Sequence, residues 1–255
     1  MAKKSAETEI RICTERSLTG AKALTAAIKE RPDNAGGLAG SSPMALSDAA
    51  PAMAMVVTKL WKPGRTLKIS FIGTIDATVK AKIKIYAAKW LEHANLKFSW
   101  VAKDGDIRIS CKVGDGSWSY IGTDALTIAK SKATMNYGWF TATTPDDEFS
   151  RVIVHEFGHA LGAIHEHQHP SGGIPWDKPA VYAYYQRTNG WDHAAVDNNI
   201  FAKYDATQLN MTDYDKTSIM HYAVPNELTI GDYEVGWNRQ LSANDKVLAK
   251  RVYPA

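Results

Sequence analysis

The chain has 255 residues, a formal net charge of +3, 45% hydrophobic side chains and 22% charged ones. That length can bury a full core without staples, and the balance excludes a mostly disordered or collagen-like chain. No apolar run nears the roughly 18 residues of a membrane helix, and the small net charge gives no ground for a nucleic-acid partner.

Residues 1–33 carry one weak helical pattern, with Leu24 and Ile28 on a face, Ala21 beside them and Pro32 after the end. Residues 34–55 are rich in Gly, Ala, Ser, Pro and Met and read as a flexible linker. Residues 56–255 have the size of one domain. Within it, Leu67, Ile69 and Phe71 alternate with polar residues, as a half-buried strand does. Asp76 is placed to cap a helix running to about residue 94, with Val79, Ile83, Tyr86, Ala87, Trp90 and Leu91 as its apolar stripe. Leu96, Phe98 and Trp100 predict a second strand, and Ile107, Ile109 and Cys111 a third. Two short strand-like runs follow at 118–121 and 134–137. Residues 58–113 hold 12 Lys/Arg against 4 Asp/Glu; these lysines fall mostly on outward positions, so the basic stretch reads as a solvated face.

The second half has more turns. Asp177 and Pro179 open a short helix over 181–187. Ser242 and Asp245 resemble a capping box for a last helix, with Val247, Leu248 and Val252 as its buried face. The two cysteines, Cys13 and Cys111, allow at most one disulfide. Cys111 reads as a small hydrophobe at a strand end. The N-terminus shows no apolar segment of a secretory signal, and the sequon Asn210-Met211-Thr212 is taken as chance.

Five of the eight histidines fall between residues 155 and 169. A helix starting near Asp146 or Asp147 stacks His155 over His159, while Phe149, Ile153, Phe157, Ala160 and Ile164 form the opposite, packed side. Two imidazoles at this spacing can fill two corners of a tetrahedral zinc site, and Glu156 borders the same face, where it can hold a water at the metal. Gly162 can end the helix in a left-handed conformation. The chain then turns, and His165 can supply the third ligand from a new direction. The five fixed positions His155, Glu156, His159, Gly162 and His165 arise by chance on the order of once in 10⁵ chains of this length.

H-E-x-x-H-x-x-G-x-x-H is the metzincin zinc motif, and its extension through Glu166 and His167 resembles the astacin group. Ser218-Ile219-Met220-His221-Tyr222 matches that group's Met-turn and following tyrosine, and Gly116–Gly122 resembles the stretch around its substrate-binding edge strand. The resemblance covers about residues 66–255. It implies an α+β metzincin-like zinc protease. A twisted mixed sheet with two long helices forms the upper part. The lower part is mostly irregular and carries a C-terminal helix. It further implies His155, His159 and His165 as ligands of one catalytic Zn²⁺, Glu156 as general base, Met220 as a hydrophobic floor, and Tyr222 as a fifth ligand that swings to the oxyanion. Glu166 matches a glutamate that pairs with the buried N-terminus of processed relatives. Three features depart from the family. Its usual cysteines are mostly missing, with Ser117 where cysteine is common; the segment before residue 56 lacks the Phe-x-Gly-Asp pattern of animal pro-segments; and no signal is seen.

The expected activity is a zinc-dependent endopeptidase acting on a peptide or protein substrate, with no nucleic-acid or membrane partner and a monomeric state. Extended substrate is expected to pair with the edge strand Trp118, Ser119, Tyr120 and Ile121. Two other readings share the ligands: a zinc-containing peptide-recognition module without turnover, and a hydrolase of non-peptide amides. Residues 1–33 read as an arm or pro-segment, and Cys13 as a weak candidate for a thiolate cap on the zinc. His167, His169 and His193 are either a network around the site or polar loop residues, and His221 is structural. The location is extracellular if another export route exists and cytoplasmic otherwise.

Overall fold

The structure, a computed structural model, describes residues 11, 13–38 and 54–255. Its elements in chain order are β1 (Cys13–Arg16), α1 (Ala21–Glu30), β2 (Ala54–Val56), β3 (Thr66–Phe71), α2 (Ala77–Ala87), β4 (Lys97–Trp100), β5 (Ile107–Ser110), β6 (Ser117–Tyr120), β7 (Met135–Asn136), α3 (Asp146–Ala160), α4 (Lys178–Asn189), α5 (His193–Val196), β8 (Leu209–Met211) and α6 (Ala243–Val252). The main sheet has the order β1-β6-β7-β5-β3-β4. All its pairings are parallel except β6 with β7. Helices α2 and α3 pack on each other beside this sheet, and their apolar sides join one core with Leu67, Ile69, Ile107 and Ile109. The chain is thus α+β, with the mixed sheet and helix pair on one side and a turn-rich second half closed by α6 on the other.

The local signals act as their chemistry dictates. The Asp76 carboxylate accepts from the Thr78 and Val79 N–H groups and starts α2. The α-helix ends at Ala87, earlier than the stripe suggests, and a 3-10 turn carries Ala88–Glu92 onward. Asp177 caps α4, and Ser242 with Asp245 forms a complete capping box on α6. On that last helix Leu248 and Val252 are buried, but Val247 is exposed and Ala249 takes its place in the core.

The N-terminal region differs most from expectation. Helix α1 forms, but it buries Ala23 and Ala27 instead of the Leu24–Ile28 face, because its contact is a close approach to the 3-10 turn at Gly122–Thr127. Residues 13–16, not predicted as structured, make a strand of the main sheet. The linker reading fails at both ends. Asn34 is fully buried, and Ala54–Val56 is a buried strand paired with β8. The central part of that reading, residues 39–53, lies outside the described residues.

Two features hold α3 and the connection from β6 to β7 in place. The last carbonyls of α3 have no partner within the helix. The Trp61 indole N–H donates to Ala160 O at 2.8 Å, and the Tyr253 hydroxyl to Leu161 O at 2.6 Å. Arg108 on β5 is buried and bonds five carbonyls: Gly105, Asp106, Ala125, Ile128 and Lys132, at 2.8–3.3 Å. Three of the five lie in the connection from β6 to β7, so one guanidinium fixes that loop. Arg108→Met is expected to cost about 3–5 kcal/mol, since it leaves buried carbonyls unpaired. Asp76→Ala is expected to cost about 1 kcal/mol. Urea midpoints with unchanged m-values check both.

Candidate metal centre and catalytic cleft

Helix α3 carries three acidic residues in its first turn, Asp146, Asp147 and Glu148, which suit the positive end of the helix dipole. Its last two turns present His155 and His159. The helix ends at Ala160, and Gly162 follows with φ +106°, a conformation in which a side chain is strained. A Cβ there would also stand 2.9 Å from the Leu60 side chain. The reversal brings His165 onto the other two.

The three imidazoles meet through Nε2. His159 Nε2 lies 3.1 Å from His155 Nε2 and 3.1 Å from His165 Nε2. The Nδ1–H of His155 donates to Ile219 O at 2.8 Å, and that of His159 to Ala163 O at 2.9 Å. Those bonds fix the tautomers, so the Nε2 atoms carry lone pairs that face one another. Facing lone pairs repel unless a cation lies between them. Zinc–nitrogen bonds of about 2.0–2.1 Å in a tetrahedron set the nitrogens about 3.3 Å apart, close to the spacing seen. Among the described residues, these three histidines are the group of metal-binding side chains with donor atoms within 4.8 Å of one another. The donor set therefore fits zinc.

Glu156 is fully buried beside this cluster, and neither carboxylate oxygen has a well-formed hydrogen bond. Burial pushes its carboxyl well above the usual range. The Tyr222 hydroxyl lies 2.7 Å from His165 Nε2. Met220 is fully buried, and an added Cβ at Gly158 would run into its sulfur, which explains the glycine between the first two histidines. The Met-turn is held from below. Asp245 accepts from the Ser218 hydroxyl at 2.7 Å and from the Ile219 and Ser242 N–H groups at 2.8 Å each. The sequence reading gave Asp245 only a capping role. The same carboxylate also sets the turn that orients His155.

The secondary histidines divide. His167 is buried, stacks on Tyr222 with centroids 4.6 Å apart, and bonds Asn199 O at 2.8 Å. His169 is buried and bonds Thr212 O at 2.9 Å. His193 is exposed and stacks on Tyr182. His221 joins the Tyr222 carbonyl to the Tyr214 hydroxyl. Glu166 is buried; its Oε1 accepts from Asp215 N–H at 2.8 Å, its Oε2 has no partner, and burial raises its carboxyl to about 9. Cys111 is half-buried at its strand end, where burial pushes its thiol up to about 12.

The edge strand is covered in this fold. β1 pairs with β6 in parallel, with Cys13 opposite Ser117, Thr14 opposite Trp118, Glu15 opposite Ser119 and Arg16 opposite Tyr120. Cys13 is buried, its thiol lies beside Glu156, and its carbonyl accepts from the Tyr222 hydroxyl. The sequence reading missed Glu15. Its carboxylate accepts from the His165 backbone N–H at 3.2 Å and the Tyr204 hydroxyl at 2.5 Å, and it lies 3.4 Å from His165 Nδ1. Burial raises it to about 7 against these bonds. A glutamate in a short polar stretch carries no sequence signal for such a place. Nor does Arg151, one turn before His155, which is buried in a two-bond pair with Glu148 and lies over the Trp237 ring.

A family model described as Astacin, a peptidase family, matches residues 54–253. The chain belongs to the astacin family of zinc metalloendopeptidases. A solved structure of myroilysin is 46% identical and covers 79% of this chain and 98% of that one, with a TM-score of 0.77. A crystal structure of myroilysin matches 98% of this chain and 94% of its own, at 39% identity and a TM-score of 0.64. High choriolytic enzyme 1, a hatching enzyme zinc-protease from the medaka fish Oryzias latipes, shares the fold at 18% identity; it covers 77% of this chain and 94% of its own, with a TM-score of 0.55. Among curated proteins, Protein SpAN of Strongylocentrotus purpuratus is 28% identical over 184 residues, 64% of this chain. The chain spans about a quarter of that relative's length, 26%.

The buried titratable groups set the pH response of the metal-free protein. His155, His159, His165, His167 and His221 are held neutral by burial, with His159 lowered to about 4 from 6.5. The unfolded chain takes up protons below about pH 6.5 that the folded chain refuses, so stability falls from there toward pH 4. Glu166, Glu15 and Asp245 act oppositely, with folded values of about 9, 7 and 6. The unfolded chain releases those protons from about pH 4.5 upward, so stability is also lost as pH rises. The metal-free protein is expected to be most stable between about pH 6 and 7, as denaturant midpoints across pH would show.

Proposed function

We propose that the domain hydrolyses internal peptide bonds, with His155, His159 and His165 holding one zinc ion, Glu156 moving the proton and Tyr222 steadying the developing negative oxygen. The observation that carries this is the convergence of three Nε2 atoms, two of them on rings whose tautomer a backbone carbonyl fixes, beside a buried carboxylate and a hydroxyl. Zinc, when bound, supplies Lewis acidity worth several kcal/mol of charge stabilisation on a carbonyl. Glu156 takes a proton from the attacking water and returns it to the leaving amine. The Tyr222 hydroxyl, at 2.7 Å from His165 Nε2, donates to the oxygen that becomes negative. Met220, pinned through Asp245, keeps the floor apolar. Freed of β1, β6 offers backbone groups to an extended peptide, which supports a preference set by pockets more than by sequence-wide readout.

In the fold described, the arm engages the parts this reaction needs. β1 fills the β6 edge, the Cys13 thiol borders Glu156, the Cys13 carbonyl takes the Tyr222 hydrogen bond, and Glu15 lies against His165. Residues 13–16 therefore act as an inhibitory plug, and the full chain is latent until they leave.

Cleavage of a mixed peptide library, with and without a zinc chelator and after zinc is restored, tests the activity. Internal, chelator-sensitive cleavage is expected once the arm is trimmed. Glu156→Ala is expected to keep one zinc per chain while losing turnover by at least ~10³-fold, and Tyr222→Phe to lose ~10²-fold in kcat. A Glu156→Ala protein that binds the same peptides unchanged, from a parent without turnover, would favour a recognition module. His159→Ala is expected to lose the zinc itself, read by metal analysis.

A further inference from the structure

The plug at residues 13–16 is one of two attachments of the arm. The second runs from Ser17 to Asn34. Lys59 Nζ bonds the Ser17 hydroxyl at 2.7 Å, the Leu18 carbonyl at 2.9 Å and Asp124 at 2.5 Å, and the Leu18 N–H donates to Asp124 at 2.7 Å. Helix α1 then lays Ala23 and Ala27 against the turn at Gly122–Thr127. At its end, Glu30 accepts from the Lys62 N–H at 3.2 Å and pairs with Arg65 at 2.9 Å, and Arg31 donates to the Val252 carbonyl at 3.0 Å. Asn34 closes the series. Its amide N–H donates to Leu60 O at 2.9 Å and its oxygen accepts from Leu60 N–H at 3.1 Å, with no solvent exposure. A buried side-chain amide paired both ways to one backbone residue is costly to strip, because either loss leaves a desolvated polar group. None of these bonds touches the histidines, Glu156 or Tyr222.

On the other side of residues 39–53, the chain is already embedded. Met55 is fully buried, Val56 N–H donates to Gly162 O, and Ile164 N–H to Ala54 O. Chain on both sides of that segment is held by the body of the protein, independently of the peptide bonds between.

We propose that residues 17–34 form a second docking site that keeps the arm bound after the chain is severed between residues 39 and 53. Severing there yields a nicked, two-piece protein whose cleft stays plugged by its own fragment. The cleft opens when the fragment is cut again or unfolds. The plug's inhibitory role rests on the protease reading above; the retention itself does not.

The test replaces part of residues 41–47 in the full chain with a site for a sequence-specific protease, loads zinc, and nicks the protein. Gel filtration and native mass spectrometry then read whether the fragment stays with the body. Retention is expected in the parent and equally in Cys13→Ala, and Asn34→Ala with Arg31→Met is expected to lose the fragment at least ~10-fold faster. A synthetic peptide of residues 11–38 is expected to bind the fragment-free body at least ~100-fold more tightly than one of residues 11–20. Prompt loss of the fragment from the parent, loss on Cys13→Ala alone, or equal affinity of the two peptides would overturn the proposal. Peptide cleavage is followed in parallel. A protein that sheds its fragment and still cleaves nothing would refute the protease reading as well as the retention, whereas one that keeps its fragment and cleaves only after the fragment is removed supports both.

Discussion

Three imidazole nitrogens with their lone pairs turned toward one point, in a pocket closed to water, are the constraint around which the rest is arranged. Such a cluster is unfavourable by itself. It exists because each ring is held from behind: His155 by the carbonyl of Ile219, His159 by that of Ala163, and His165 by its place beyond the Gly162 reversal. Those carbonyls must themselves be positioned. Ile219 is set by Asp245, and Ala163 by the turn that ends α3, whose last carbonyls are taken by Trp61 and Tyr253. Strain at the centre is thus distributed to groups from both ends of the chain.

With the proposed protease function, the same arrangement would make latency simple to build. A cleft that must accept an extended peptide offers an unpaired strand, a basic carboxylate and a hydroxyl donor. A segment of four residues from the same chain satisfies all three. In the proposed protease, the arm needs no matching pocket of its own in the cleft, because β6, Glu156 and Tyr222 are the groups a substrate would use. In the proposed retention, its hold comes from α1 and Asn34, whose contacts lie away from the histidines, Glu156 and Tyr222.

The site was far more legible in the sequence than the arm. His155, Glu156, His159, Gly162 and His165 are fixed by helix geometry and metal chemistry, so their spacing survives in the linear order. Asp76, Asp177 and Ser242 could be read because capping is local. The arm could not. β1 is a short polar stretch, and its pairing with β6 depends on partners more than a hundred residues away. Asn34 sits among Gly and Pro, where composition suggests a linker, yet its amide is buried by long-range contacts that composition does not encode. The shifted face of α1 has the same cause: a close approach selects Ala23 and Ala27 over larger neighbours. Asp245 shows an intermediate case, since its local role was visible and its grip on the Met-turn was not.

The parallel seating of β1 on β6 has a further consequence for the free molecule. A sheet whose outermost strand is left bare for peptides is also a template on which another copy's sheet, or any partly folded chain, can add. With β1 in place, the strand that would recruit such neighbours is already paired, by a segment of four residues that includes Glu15 and Arg16. The arm thereby covers a strand that would otherwise be open to pairing with another chain. The pairing that would close the cleft in the proposed latent form and the pairing that covers this strand are the same set of hydrogen bonds.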